Sequence, residues 1–308
     1  MRSLSGVGLM DGSDAAQPRR LTVPIRNRWG EGDMAVLDFG PGHRPVDMVF
    51  AHANGFNAMT YRQLLLPLAK QFRIWAPDLR GHGRSNLPPQ TMGRRNWHDH
   101  RDDLISLIEA TDSPSLLLGG HSIGGTSSLL AAAQVPDRVK GLLLLDPVIW
   151  PKPTVAAFQL PVLDRVVAQS SIVKSTLRRR SVFETRDQAF ASWKGRGAFK
   201  GWPDEVLRDY LADGLLETAD GVKLACSPQW EASNYSSQAH NPWRALRQYR
   251  GPVRILRAEH GSLCGTIRPS AGRDLKISTV EGGGHLFPMT HPDAVRRTVT
   301  DLVAELGR

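Results

Sequence analysis

A serine flanked by glycines has the setting that most clearly predicts chemistry. The segment GGHSIGG spans residues 119–125, between a predicted strand and a predicted helix. It gives Ser122 the G-x-S-x-G spacing of a sharp turn that exposes a nucleophilic hydroxyl. Side chains at Gly120 and Gly124 would collide with the neighbouring strand and helix, and the helix N-terminus favours developing negative charge. The pattern predicts that Ser122 is a nucleophile, and a glycine–serine turn without chemistry is the alternative.

A histidine in a second glycine-rich loop is the candidate general base. The segment EGGGHLFPMTHPD covers residues 281–293, after a predicted strand and before the final predicted helix. A histidine in such a loop can lie over a serine hydroxyl and accept its proton. We therefore predict His285 as the base, and a histidine on a surface loop is the alternative.

Two carboxylates compete for the role of orienting His285. Asp146 ends a predicted strand in LLLLDPV, 24 positions after Ser122, and Glu259 follows the next predicted strand in RAEHGSLC. A carboxylate at either strand end could reach the far ring nitrogen of His285, fix its tautomer and stabilise its charged form. The sequence leaves both open, and we favour Asp146 over Glu259.

Two backbone amides are the candidates for stabilising a developing oxyanion. The segment AHANGF at 51–56 directly follows a predicted strand, and it supplies the N–H of Asn54. The N–H of Ile123, immediately after the candidate nucleophile, is the second donor. His52 is predicted to support this loop structurally, and for Asn54 a simple turn residue is the alternative.

Strands and helices alternate around these residues, which predicts an α/β fold with a mostly parallel sheet. The rhythm breaks over residues 148–250, a stretch that we call the cap segment and predict to be helical and aromatic. An insertion that follows a parallel strand should lie over the ligand crevice at the carboxyl ends of the strands. The predicted strands are 35–39, 46–51, 73–76, 115–118, 139–145, 253–256 and 276–280, and the predicted helices are 60–72, 97–110, 123–133 and 292–306.

Composition excludes several classes of protein. The chain has 308 residues, of which 41% are hydrophobic and 22% charged, values near those of globular proteins. It lacks the roughly 18-residue apolar run of a membrane-spanning helix. The net charge is +9, but the basic residues are scattered along the chain and alternate with acidic ones. We therefore predict no nucleic-acid or membrane partner. Two cysteines without zinc spacing predict no metal site and leave a single disulfide open. Without an apolar leader, we expect a cytoplasmic protein.

The motifs HANGF, DLRGHGRS, GHSIGG, LLLLDP and GGGHLFP resemble those of the α/β-hydrolase family in order and spacing. The resemblance covers residues 33–306 apart from the cap segment, whose sequence is weakly diagnostic, and it departs from the family at Ala53, where a glycine is usual. It implies an α/β-hydrolase fold with a helical cap and no cofactor. The implied division is a flexible tail at 1–19, a core at 20–147 and 251–308, and a cap at 148–250.

A serine nucleophile in this family implies acyl transfer through a covalent acyl-enzyme. We predict a carboxylic ester hydrolase for a small-molecule ester with an apolar part, either monomer or homodimer. His121, Trp150 and Phe56 are predicted to contact the substrate. The alternatives are serine-dependent cleavage of a lactone, thioester or carbon–carbon bond, cofactor-free haloperoxidase chemistry, and a receptor of the same fold without turnover.

Overall fold

An eight-stranded sheet forms the centre of the molecule. The computed structural model describes residues 17–265, 267 and 272–307. The strands are β1 (Arg19–Asn27), β2 (Gly30–Phe39), β3 (Met48–Ala51), β4 (Ile74–Pro77), β5 (Leu116–His121), β6 (Val139–Leu145), β7 (Val182–Phe183), β8 (Leu215–Thr218), β9 (Gly221–Leu224), β10 (Val253–His260) and β11 (Leu275–Gly284). The central sheet has the order β1-β2-β4-β3-β5-β6-β10-β11. The pairs β1–β2 and β2–β4 are antiparallel and the others are parallel.

Helices cover both faces of this sheet. They are α1 (Arg62–Leu65), α2 (His98–Glu109), α3 (Ile123–Ala132), α4 (Lys152–Phe158), α5 (Pro161–Ala168), α6 (Ser171–Leu177), α7 (Arg186–Trp193), α8 (Asp204–Gly214), α9 (Pro228–Ser236), α10 (Pro242–Gln248), α11 (Phe287–Thr290) and α12 (Pro292–Leu306). Strand β6 shows why its sequence is continuously apolar. Leu142 and Leu144 pack into the core on the side of α2 and α3, while Leu143 and Leu145 pack into the core on the side of α12. A strand buried on both faces has no polar side to alternate with.

No described helix has the length and apolar character needed to span a bilayer.

The cap segment contains a small sheet as well as helices, which differs from the helical prediction. Strands β7, β9 and β8 form a three-stranded antiparallel sheet in that order. The β8–β9 hairpin turns through Ala219 and Asp220, because Thr218 pairs with Gly221. Gly221 has a φ of +132° that favours glycine. An Asp-Gly pair between apolar runs is a hairpin signal, so this element was available from the sequence. Helix α10, at the end of the segment, packs against α3.

Two further differences from the sequence prediction lie near the start of the chain. Strand β1 begins at Arg19 and was not among the predicted strands, while residues 1–16 of the predicted tail lie outside the described part. The alternation of buried Val23 and Ile25 with exposed neighbours is the signal of this strand. The helix predicted at 60–72 is broken into two 3₁₀ turns and the four-residue α1. Pro67 lies at the break, because proline has no N–H to donate and its ring crowds the preceding turn.

Candidate active site

Ser122 stands at the junction of β5 and α3 in a strained backbone conformation. Its φ of 55° and ψ of −119° lie outside the backbone regions that residues other than glycine normally adopt. Its N–H donates to the carbonyl of Leu145 at 2.9 Å, and its carbonyl accepts from the N–H of Thr126 at 3.0 Å. These bonds hold the turn and leave the hydroxyl facing a cavity. Strain of this kind persists only where the surroundings over-determine the conformation.

Gly120 and Gly124 are required by close backbone approach. A Cβ on Gly120 would lie 2.6 Å from the carbonyl carbon of Gly124 and 2.7 Å from the carbonyl oxygen of Ala51. A Cβ on Gly124 would lie 2.3 Å from that same oxygen. These neighbours are backbone atoms, which cannot move aside as a flexible side chain would. The predicted reason for glycine on each side of Ser122 is therefore confirmed.

His285 and Asp146 complete a hydrogen-bonded line with Ser122. His285 Nε2 lies 3.1 Å from Ser122 Oγ, and His285 Nδ1 lies 2.6 Å from Asp146 Oδ2. Asp146 follows β6, while His285 follows β11, so the carboxyl ends of three parallel strands supply the line. An Nδ1–H that donates to the carboxylate leaves Nε2 free to accept the serine proton.

The carboxylate of Asp146 is fully buried and fully bonded. Besides His285, it accepts hydrogen bonds from the N–H of Ala258 at 3.0 Å, from Ser262 Oγ at 2.5 Å and from the N–H of Leu263 at 3.0 Å. Burial alone would raise the pKa of Asp146, but the bonds from His285 and Ser262 and the nearby histidine charge hold this pKa below its usual value. Asp146 is therefore ionised at neutral pH.

Glu259, the other candidate acid, lies apart from His285. Its side chain is 42% exposed, and its Oε2 accepts the N–H of Gly282 at 2.8 Å. The structure thus places Asp146, and not Glu259, against His285.

Asn54 and Ile123 both line the cavity that Ser122 faces. Ile123 is the first residue of α3, so its N–H has no carbonyl partner inside the helix. The loop of Asn54 is held from below by two buried histidines. His52 donates through Nδ1 to the carbonyl of Ala53 at 2.7 Å, while His82 Nε2 accepts the N–H of Gly55 at 3.1 Å. His52 thus has the supporting position that was predicted for it.

Both of these histidines are neutral. His52 Nε2 accepts the N–H of Leu79 at 2.8 Å, which requires an unprotonated nitrogen. Burial lowers the pKa of His52 to about 3 and lowers that of His82 well below its usual value. The support beneath the loop therefore carries no charge at neutral pH.

His121 does not reach the cavity, so its predicted contact with substrate is wrong. Successive side chains on a strand point to opposite faces, and His121 is fully buried beneath the site. Its Nε2 donates to the carbonyl of His285 at 2.8 Å, and its Nδ1 accepts the hydroxyl of Tyr61 at 2.7 Å. Tyr61 in turn accepts the N–H of Ala53 at 3.1 Å. Burial lowers the pKa of His121 to about 3, so this line is neutral and ties the Ala53 loop to the histidine loop.

The cavity above Ser122 has a volume of about 860 Å³ and a mostly apolar wall. Phe56 and Trp150, two of the predicted substrate contacts, both line it. Much of the wall comes from the cap segment, namely Phe158, Val167, Ile172, Trp193 and Phe199. The cavity size suits a small molecule with an apolar portion.

Charged side chains occupy one part of this wall. Arg179 Nη1 lies 2.8 Å from Glu231 Oε2 and 3.1 Å from Glu231 Oε1, so the two form an ion pair. Arg196 also lines the cavity, is exposed, and has no hydrogen-bond or ion-pair partner for its guanidinium within the described residues. Among the described residues, the other titratable groups in the lining of this cavity are His285 and Tyr235, and burial raises the pKa of the Tyr235 hydroxyl.

Ser262 and Asn234 belong to the site and were missed by the sequence analysis. Ser262 donates to Asp146, and Asn234 of α9 contacts the side chain of Asn54. No local pattern marks either residue. Across the described residues, no cluster of three or more metal-ligating side chains is found, and Cys226 and Cys264 are free, buried thiols.

Comparison with known proteins gives a family and two informative relatives. A family model described as the alpha/beta hydrolase family matches residues 48–298. The 2-(acetamidomethylene)succinate hydrolase of Mesorhizobium japonicum is 26% identical over 264 residues, covering 83% of this chain and 87% of that protein. The 2-hydroxymuconate semialdehyde hydrolase of a Pseudomonas species is 34% identical over 110 residues, covering 35% of this chain and 38% of that protein.

Solved structures show the same architecture. The crystal structure of E-2-(acetamidomethylene)succinate hydrolase superposes with a TM-score of 0.70 at 24% identity. The match covers 93% of this chain and 100% of that one.

Proposed function

The chain belongs to the α/β hydrolase family, and we propose that it is a serine hydrolase that cleaves a carboxylic ester. The observation that carries this proposal is the line from Ser122 through His285 to Asp146, with separations of 3.1 and 2.6 Å. A hydroxyl, a base and an orienting carboxylate in this arrangement are the parts that acyl transfer needs.

The chemistry proceeds in two stages. Ser122 Oγ attacks the ester carbonyl as its proton passes to His285 Nε2, and the oxyanion accepts hydrogen bonds from the N–H groups of Asn54 and Ile123. His285 then protonates the departing alcohol, which leaves an acyl-enzyme. A water molecule, deprotonated by His285, attacks the acyl carbon, and His285 then returns this proton to Ser122 Oγ as the bond between Oγ and the acyl carbon breaks and the acid leaves. Asp146 keeps Nδ1 protonated and stabilises the charged ring throughout.

We expect wild-type protein to hydrolyse p-nitrophenyl esters, with a rate that rises with acyl length from acetate until the cavity is filled. Each methylene buried against the aromatic wall contributes about 0.8 kcal/mol, so kcat/KM should rise at most about fourfold per methylene. Steady-state kinetics on esters from acetate to laurate measures this dependence. If no ester is turned over by folded protein, the ester proposal fails, and lactones, thioesters, carbon–carbon bonds and peroxide chemistry become the substrates to assay.

A second candidate is a substrate that carries a carboxylate beside the scissile group. The guanidinium of Arg196, which lines the cavity and has no partner among the residues that the structure describes, supports it. The relative that acts on 2-(acetamidomethylene)succinate supports it as well. This candidate changes the substrate and keeps Ser122 as the nucleophile.

The test compares p-nitrophenyl hemisuccinate with the neutral p-nitrophenyl pentanoate. Arg196→Gln should raise KM for the hemisuccinate up to about fivefold, the size expected for an exposed charge pair, and leave the pentanoate unchanged. Arg178→Gln is the matched control, because Arg178 is exposed in the same segment and does not line the cavity. Equal effects on the two esters would remove the carboxylate candidate.

A further inference from the structure

Helix α9 of the cap segment holds the side chain of Asn54 at both ends. Asn54 Nδ2 donates to the backbone carbonyl of Glu231 at 3.0 Å, and Asn54 Oδ1 accepts from Asn234 Nδ2 at 2.7 Å. Glu231 and Asn234 are one helical turn apart on α9. Helix α9 therefore provides hydrogen-bond partners for both the NH₂ group and the oxygen of the Asn54 side chain.

The direction of these hydrogen bonds is fixed by the carbonyl of Glu231, which can only accept. Asn54 must donate to it through Nδ2, so Asn54 Oδ1 faces Asn234, and Asn234 must donate through its own Nδ2. Asn234 Oδ1 then faces His100 Nε2 at 3.1 Å and accepts its hydrogen. Each amide in the line therefore has one orientation.

Burial makes this line rigid and uncharged. Asn234 and His100 are both fully buried, and His100 lies on α2 beside the central sheet. Burial lowers the pKa of His100 to about 4, so the ring is neutral at pH 7. The side chain of Asn234 is thus hydrogen-bonded through Oδ1 to His100 of α2 and through Nδ2 to Asn54.

We propose that Asn234 is a positioning residue that aims the Asn54 N–H at the oxyanion, an inference that rests on the proposed ester hydrolysis. A donor that is already in place before the reaction stabilises the transition state without reorganisation of the protein. A mobile donor must first be ordered, so it stabilises the transition state less. Because Asn234 acts on the donor, it controls turnover more than substrate affinity. The cap segment thereby completes the oxyanion site in addition to lining the cavity.

Asn234→Asp is the sharpest test, because it changes one hydrogen-bond donor at constant size. A carboxylate keeps an acceptor for His100 but cannot donate to Asn54 Oδ1, and its second oxygen repels that atom. We expect kcat on the best p-nitrophenyl ester to fall about 100-fold, near the low end of losing an oxyanion donor, with KM within threefold of wild type. Affinity for an alkyl trifluoromethyl ketone, which forms an oxyanion, should fall in parallel, while inhibition by the product acid should not change.

Two further variants separate positioning from folding. Gln229→Glu makes the same amide-to-acid change on the exposed side of α9 and should leave kinetics unchanged. Asn234→Ala removes the bond without burying a charge and should also lower kcat. In an Asn54→Ala background, Asn234→Ala should cost little more, because its effect passes through Asn54.

The outcomes are distinguishable. If folded Asn234→Ala keeps kcat within twofold of wild type, or if only KM changes, the positioning role is overturned while ester hydrolysis stands. If wild-type protein itself neither cleaves any ester nor binds the ketone, the proposed function fails and the positioning role falls with it.

Discussion

Ser122→Ala should reduce ester turnover by roughly 10⁶-fold, because it removes the only atom that forms the acyl-enzyme in the proposed mechanism. The remaining rate would come from binding and from the Asn54 and Ile123 amides acting on attack by water. Alanine keeps the Cβ of serine, and the backbone bonds to Leu145 and Thr126 do not involve the hydroxyl. The loss should therefore be one of chemistry and not of folding.

Covalent labelling measures the same residue independently of the substrate. A fluorophosphonate should modify wild-type protein once, at Ser122, and should not modify Ser122→Ala. Ser127→Ala is the matched control, since Ser127 lies on the same helix and its buried hydroxyl has no hydrogen-bond partner within the described residues. Retention of more than one hundredth of the rate in Ser122→Ala would identify another nucleophile. Folded wild-type protein that resists labelling would instead support a receptor without turnover.

The fold and two of the three residues in the hydrogen-bonded line could be predicted because their signals are local. Ser122 and His285 lie in glycine-rich turns, each next to a strand with a continuous or alternating apolar pattern. Such turns need glycine for backbone reasons that act within a few residues. The mostly parallel sheet followed from the same strand patterns.

Contacts between distant segments could not be predicted in this way. Asp146 and Glu259 both follow predicted strands, but in the structure Glu259 lies within β10 with a side chain that is 42% exposed. Asp146 follows β6 and is buried against His285, and only the folded structure shows this difference. The prediction for His121 failed for a different reason. His121 is next to Ser122 in sequence, but successive side chains point to opposite faces of a strand, so His121 lies on the face of β5 away from the cavity. Asn234 has no marker, since its role depends on a contact across 180 positions of sequence.

Asp146→Asn should lower turnover on p-nitrophenyl esters about 10⁴-fold at neutral pH. Asparagine is the informative replacement because Asp146 has a φ of 39°, a left-handed conformation that asparagine tolerates better than alanine does. The amide cannot satisfy the four donors that surround the carboxylate. If its NH₂ faces His285, Nδ1 becomes an acceptor and Nε2 carries the proton, so His285 cannot act as a base. If its oxygen faces His285, the tautomer survives but the negative charge that stabilises the ring cation is lost.

Glu259→Gln makes the same acid-to-amide change at the rival carboxylate and should leave turnover within twofold of wild type. Its carboxylate bonds the N–H of Gly282 at the surface and has no contact with His285, so its charge is largely screened by solvent. Circular dichroism and thermal melts of both variants separate loss of chemistry from loss of structure. A large loss in Glu259→Gln with a normal rate in Asp146→Asn would reverse the assignment. Near-wild-type rates in both would mean that His285 works without a carboxylate, and the proposed line would lose its third residue.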